Sequence, residues 1–233
     1  MQTSAEKFYN EKVQKNVRQQ GLLGYFYHKL NQFEVHRYDV VTNLARKNNY
    51  DTILDIGCYE GHLLEQISKK CHCKNIFGID INKEGIEICK DTFPEFKDNF
   101  SLQSIDNETA FSNDSFDLIT MVAVLEHVFD PLFSIEEVRR ILKPGGTFIV
   151  EVPNIAFIKY RLNLLFGKRP RTSWDYGWDG GHLQLFTKKD LEKLLRQKGF
   201  TIMKSSGSGI FLNMRGWWPS LLLPNIIIQA TKN

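Results

Sequence analysis

Acids and glycines crowd one short stretch of this chain. In "TILDIGCYEGHLL" (Thr52–Leu64), Asp55 stands two residues before Gly57, and Glu60 directly precedes Gly61. Another acid, Asp80, closes "NIFGID" 25 positions after Asp55. Glycine turns between a strand and a helix cradle phosphates when three glycines follow GxGxxG, because bare backbone then reaches a pyrophosphate at a helix N-terminus. Here Cys58 and Tyr59 follow Gly57, so the middle glycine is missing. Asp55 and Glu60 would repel a pyrophosphate if they pointed into the site. The loop suits a ligand that carries positive charge and no phosphate. A carboxylate such as Asp80, at the end of a second strand, can accept the hydroxyls of a ribose.

S-adenosylmethionine has those properties: a sulfonium, an ammonium, a carboxylate and a ribose. Its methyl group is already electrophilic, so a protein using it has to align a nucleophile and, for a hydroxyl or ammonium, remove a proton. Imidazole is the side chain whose ordinary pKa lies nearest neutrality. His182, behind two glycines in "DGGHLQLFT", is the leading candidate base; the alternative is that it bonds a loop backbone. His127, in "LEHV", follows a strand and faces the same edge; it serves either as a base or as pocket wall. Glu126 beside it either orients a neighbour or is solvated.

Short apolar runs alternating with amphipathic segments must position these groups. Strands are expected at Thr52–Ile56, Asn75–Asp80, Phe100–Ile105, Phe116–Val122 and Gly146–Val152, and again at "TIMKSS" and "NIIIQAT". Helices are expected over about His62 to Lys70, Lys83 to Phe93 and Pro131 to Leu142, and in "DLEKLLRQKGF", where Thr187 and Asp190 form a capping pair. Alternation of this kind predicts a parallel sheet covered on both faces. The loops after Ile56, Ile79, Ile105 and Val122 then share its carboxyl edge, where ligands bind. Before this region, Phe26, Leu30, Phe33, Val40 and Leu44 recur at helical spacing.

Composition sets the outer limits. The 233 residues are 42% hydrophobic and 24% charged, enough for one large core. A net charge of +3 gives no strong signal for nucleic acid. The polar N-terminus lacks the apolar core of a secretory signal. The longest apolar stretch, "GWWPSLLLPNIIIQA", is broken by Pro219 and Pro224 and falls short of the roughly 20 residues a spanning helix needs. A cytoplasmic protein is expected, with peripheral contact to a membrane surface left open. Cys58, Cys71, Cys73 and Cys89 form no paired CxxC sets and are read as reduced thiols.

Taken in order, "LDIGCYEG", "GIDIN", "SFDLITMVAVLEHVFDP" and "RRILKPGGTFIVEVPN" resemble the class I S-adenosylmethionine-dependent methyltransferases. The nearest pattern is the small-molecule branch that includes ubiquinone-biosynthesis enzymes. The resemblance covers about Asp51 to Phe200. It implies an α/β, doubly wound Rossmann-like fold with a seven-stranded mixed sheet. It also implies one domain over residues 1–233: a helical lid (1–48), a cofactor core (49–152), an acceptor-specificity segment (153–187), then the last helix and strands (188–233).

By the same resemblance the cofactor is S-adenosylmethionine, held by Asp55, Gly57, Cys58 and Gly61, by Asp80 with Ile81, by Asp106 with Asn107, and by Val122. Tyr9 covers the methionine end, and no metal ligands are named. Tyr59 departs from the family's usual glycine. The specificity segment carries aromatics with Lys159, Arg161, Lys168, Arg169 and Arg171, which suits a phosphorylated, nucleotide-linked or lipid-linked acceptor. The expected reaction is methyl transfer to a hydroxyl of a sugar, phenol or lipid-linked intermediate. The alternatives are a non-catalytic cofactor-binding partner on the same fold and, further off, an NAD-dependent dehydrogenase or a nucleic-acid methyltransferase. Oligomeric state is not set by these residues.

Overall fold

The computed structural model describes residues 36–46, 49–172, 181–209 and 219–233. The expected lid residues Phe26, Leu30 and Phe33, and Tyr9 with them, lie outside these. A helix α1 (Arg37–Ala45) comes first, capped by His36 and burying Val40, Val41 and Leu44. Then follow β1 (Tyr50–Ile56), α2 (His62–Lys70), β2 (Cys73–Asp80), α3 (Lys83–Thr92) and β3 (Phe100–Leu102). The second half holds β4 (Phe116–Val122), α4 (Pro131–Ile141), β5 (Leu142–Pro153), α5 (Ile158–Leu165), α6 (Lys188–Gln197), β6 (Phe200–Ser206) and β7 (Asn225–Lys232).

The seven strands form one sheet in the order β3-β2-β1-β4-β5-β7-β6. The first five are mutually parallel; β7 runs antiparallel between β5 and β6. This is the mixed, doubly wound sheet expected of a class I methyltransferase. Strand order reverses between β1 and β4, so a crevice opens beyond their carboxyl ends. Central strands carry apolar residues on both faces: Ile53, Leu54 and Ile56 of β1, and Leu118, Ile119 and Met121 of β4, are all buried. One core forms around Phe116, Phe148 and Phe200 beneath α4 and α6. The other joins α1, α2 and α3 to the opposite face through Val41, Leu64 and Ile86.

Three local outcomes differ from the sequence reading. β3 stops at Leu102: the Gln103 amide makes the last rung to the Asp80 carbonyl, and the chain then turns, the Asn107 amide donating to the Ser104 carbonyl. β5 starts four residues earlier than expected, at Leu142. Finally, α5 forms where only a specificity loop was expected. The capping pair is as read: Thr187 Oγ1 accepts from the Asp190 amide, and Asp190 reaches back to the Thr187 amide.

Helix α3 is seated tightly under the loop that follows β1. A Cβ placed at Gly85 would lie 2.8 Å from the Tyr59 carbonyl oxygen, a backbone atom that cannot swing aside. Gly85→Ala should therefore lower stability by about 1–3 kcal/mol in urea denaturation. Unchanged stability would mean that the loop moves freely.

Candidate active site

A cavity of about 330 Å³ opens at the carboxyl edge of β1, β2 and β4. That volume falls at the lower end of the range for small-molecule sites. Asp80 stands on its wall at the end of β2. Both carboxylate oxygens are held by backbone: Oδ2 accepts from the Tyr59 amide at 2.8 Å and Oδ1 from the Asn82 amide at 2.7 Å. Each oxygen keeps a second lone pair for a ligand. A second acid, Asp106, also lines the cavity. Its Oδ1 accepts from the Phe129 amide at 2.8 Å. Ile79 and Ile105, both buried, and Ile81, which is 76% exposed, line the cavity with them.

The loop after β1 is no phosphate cradle, though for a different reason than its charge. The amides of Gly57 and Cys58 both donate to the Ile79 carbonyl, and the Gly61 amide donates to Cys58. With the Tyr59 amide on Asp80, four of the loop's donors are already occupied. Neither Asp55, expected to hold the cofactor, nor Glu60 lines the cavity. Asp55 is buried within β1, accepting from Thr120 Oγ1 at 2.6 Å. Burial pushes its carboxyl up to about 7, with the Asp80 charge adding to the effect and the Thr120 bond opposing it. Glu60 pairs instead with His62 at 3.1 Å. Gly57, with φ +78°, lies directly under Val124: a Cβ there would come within 2.2 Å of Cγ2 of that side chain.

Gly57, Asp80, Ile81, Asp106, Val122 and His127 all line the cavity. Cys58 and Gly61 do not: the Cys58 thiol is buried 3.9 Å from that of Cys89, and Gly61 packs against Phe93. Asn107 is exposed and off the wall. Sequence reasoning missed Tyr38, Gln103 and Ser104, which do line it. Tyr38 comes from the first turn of α1; the only sequence signal there was the helical spacing of Val40 and Leu44 behind it.

Next to the cavity sits a cluster of ionisable groups. His127 and His182 meet edge to face with ring centroids 4.7 Å apart. The chain brings them together by donating the Leu183 and Gln184 amides to the Glu126 carbonyl. His127 is on the cavity wall; His182 stands behind it, its Nδ1 2.7 Å from Thr172 Oγ1 and its Nε2 4.0 Å from Glu126. Glu126 is buried, and its Oε2 has no hydrogen-bond partner among the described residues. Burial and the neighbouring Glu151 push its carboxyl up to about 8. Glu151, wholly buried on β5, faces Arg37 of α1 at 3.7 Å, an ion-pair distance too long for a hydrogen bond. Glu126, His127 and His182 offer ligand atoms within 4.8 Å of one another, a set that could hold a divalent cation.

A family profile described as a methyltransferase domain matches residues 27–205. The chain belongs to that family. It is 27% identical over 184 residues to a ubiquinone biosynthesis O-methyltransferase of Hydrogenovibrio crunogenus, covering 77% of this chain and 73% of that protein. A protein of the same name from Actinobacillus pleuropneumoniae is 29% identical over 135 residues, and there the chain spans only 57% of the relative's length. Among solved structures, an S-adenosylmethionine-dependent methyltransferase of Methanosarcina mazei superposes with a TM-score of 0.61 at 25% identity, covering 85% of this chain and 99% of that one. The methyltransferase domain is thus S-adenosylmethionine-dependent. Its cavity lining fits that cofactor: a carboxylate fixed by two amides could accept ribose hydroxyls, and the apolar side chains that line the cavity with it could take the base.

Asp55 makes the stability of this methyltransferase sensitive to pH. Its folded-state carboxyl titrates near 7, well above its ordinary 3.8. Between these values the folded protein holds a proton that the unfolded chain has lost, so stability falls as pH rises and the loss is complete above about 7. Asp55→Asn, which still accepts from Thr120, should remove this component. Thermal melts from pH 4 to 8 should show the variant gaining on the native chain as pH rises; parallel curves would contradict the buried placement.

Proposed function

We propose that this methyltransferase transfers a methyl group to a hydroxyl oxygen of a small molecule: a sugar, a phenol or a lipid-linked intermediate. The observation that carries the reading is His127 on the cavity wall, paired edge to face with His182 behind it and backed by the buried Glu126. The names of the relatives point the same way.

When bound, S-adenosylmethionine supplies a methyl carbon made electrophilic by its sulfonium. Asp80 would hold the ribose hydroxyls, and Ile81 with Asp106 would take the adenine. Gly57 and Val122 would pack near the methionine end, and the segment before β1, with Tyr38 and Arg37 in α1, would close over it. Arg37 offers a planar guanidinium to a carboxylate. As the acceptor oxygen bonds to the methyl carbon and the carbon–sulfur bond breaks, the hydroxyl proton would pass to the imidazole pair. A positioned base of this kind contributes roughly 10²–10⁴-fold. Segment 153–187, which follows β5 at the same edge of the sheet, would select the acceptor.

Isothermal titration with S-adenosylhomocysteine should show binding that Asp80→Ala weakens by at least about tenfold, the loss of a bidentate contact to two hydroxyls; unchanged affinity would remove Asp80 from the ribose site. Acceptors would be screened by release of S-adenosylhomocysteine, starting with polyprenyl-linked phenols and sugar nucleotides. With the acceptor found, His182→Ala should lower kcat by about 10²-fold or more and leave cofactor affinity within about twofold. Equal loss of both would make His182 a scaffold residue.

A further inference from the structure

Helix α5 is packed unlike the others. Its sequence IKYRLNLL includes Ile158, Tyr160, Leu162, Leu164 and Leu165, yet none of its residues is buried. A helix on a globular protein ordinarily turns such residues toward the core. Here Leu164 is 59% exposed, Leu165 75%, and Phe166, directly after the helix, 72%. Charge around it has one sign. From Val152 to Thr172 the chain carries Lys159, Arg161, Lys168, Arg169 and Arg171 and no acid. All five cations are exposed.

We infer that α5 and Phe166 form a docking surface for a lipid bilayer bearing anionic headgroups. Exposed leucines and a phenylalanine flanked by cations, without acids, match the composition that settles helices into the interface of such membranes. A second copy of this chain is the poorer fit, because a symmetric pairing would bring five cations against five. The surface lies at the carboxyl edge of the sheet, since α5 follows β5 there. Phe129, 80% exposed after β4, belongs to the same edge. Docking therefore sets the mouth of the cavity toward the membrane, where an acceptor with an apolar tail resides. The docking surface stands whether or not the acceptor is the hydroxyl compound proposed above.

The test floats the full chain with vesicles of phosphatidylcholine alone or mixed with phosphatidylglycerol. Binding to the mixed vesicles should be at least about tenfold tighter and should weaken as salt rises. The double variant Leu165→Glu, Phe166→Glu should lose about tenfold or more, and Lys168→Ala, Arg169→Ala should lose the preference for phosphatidylglycerol. All variants should keep native affinity for S-adenosylhomocysteine, which shows that they are folded. Absent binding, equal binding to both vesicles, or an unaffected Glu variant would overturn the inference. So would a dimer in sedimentation velocity that Phe166→Glu dissolves, because the helix would then be a protein interface.

Discussion

The site depends on how one carboxylate is held. Asp80 ends β2 and accepts the Tyr59 amide from the loop after β1 on one oxygen and the Asn82 amide at the start of α3 on the other. Amide bonds to an ionised carboxylate are among the stronger hydrogen bonds a protein makes. This pair ties the loop after β1, the end of β2 and the start of α3 into one corner. Gly85 lets α3 press against the backbone of that loop, and Gly57 leaves room for Val124 above it. The amides that a dinucleotide-binding loop would aim at phosphate are here directed to Ile79, Asp80 and Cys58. The corner proposed to hold a ribose therefore offers few free amides to a pyrophosphate.

Buried acids stand around this corner with few neutralising partners. Among the described residues, Asp55 has a hydroxyl, Glu126 has one oxygen without a hydrogen-bond partner, and Glu151 faces Arg37 at 3.7 Å. All three carboxyls are pushed up by burial. Unpaired buried acids cost stability, and such groups concentrate where a protein handles charge or protons. Glu126 lies 4.0 Å from His182 with Glu151 as its charged neighbour, so the cluster stands beside the imidazoles proposed to take the acceptor's proton. An inert fold would fill these positions with apolar residues.

Much of this was legible in the sequence, for physical reasons that can be named. β4 is a run of apolar residues bounded by turn residues, and its ends, Phe116 and Val122, were read correctly. The place of Asp80 on the cavity wall was legible because it ends a strand at the carboxyl edge of a parallel sheet. Asp55 misled because residue type does not say which way a side chain points; in a central strand with both faces covered, even an acid can be enclosed. Helix α5 was missed because periodicity signals burial, and this helix buries no face. His127 and His182 are 55 positions apart, and they meet because the second segment bonds to the Glu126 carbonyl and its Gly181 carbonyl lies 3.1 Å from His127 Nδ1. Tyr38, Gln103 and Ser104 carry no chemistry that sets them apart until the topology places them on the cavity wall.

A crystal structure of the chain with S-adenosylhomocysteine tests the central claim most directly. The account requires the ribose hydroxyls within hydrogen-bond distance of the Asp80 carboxylate, the adenine against Ile81, and the sulfur directed toward His127. Density for the ligand elsewhere, or a ribose turned away from Asp80, would contradict it.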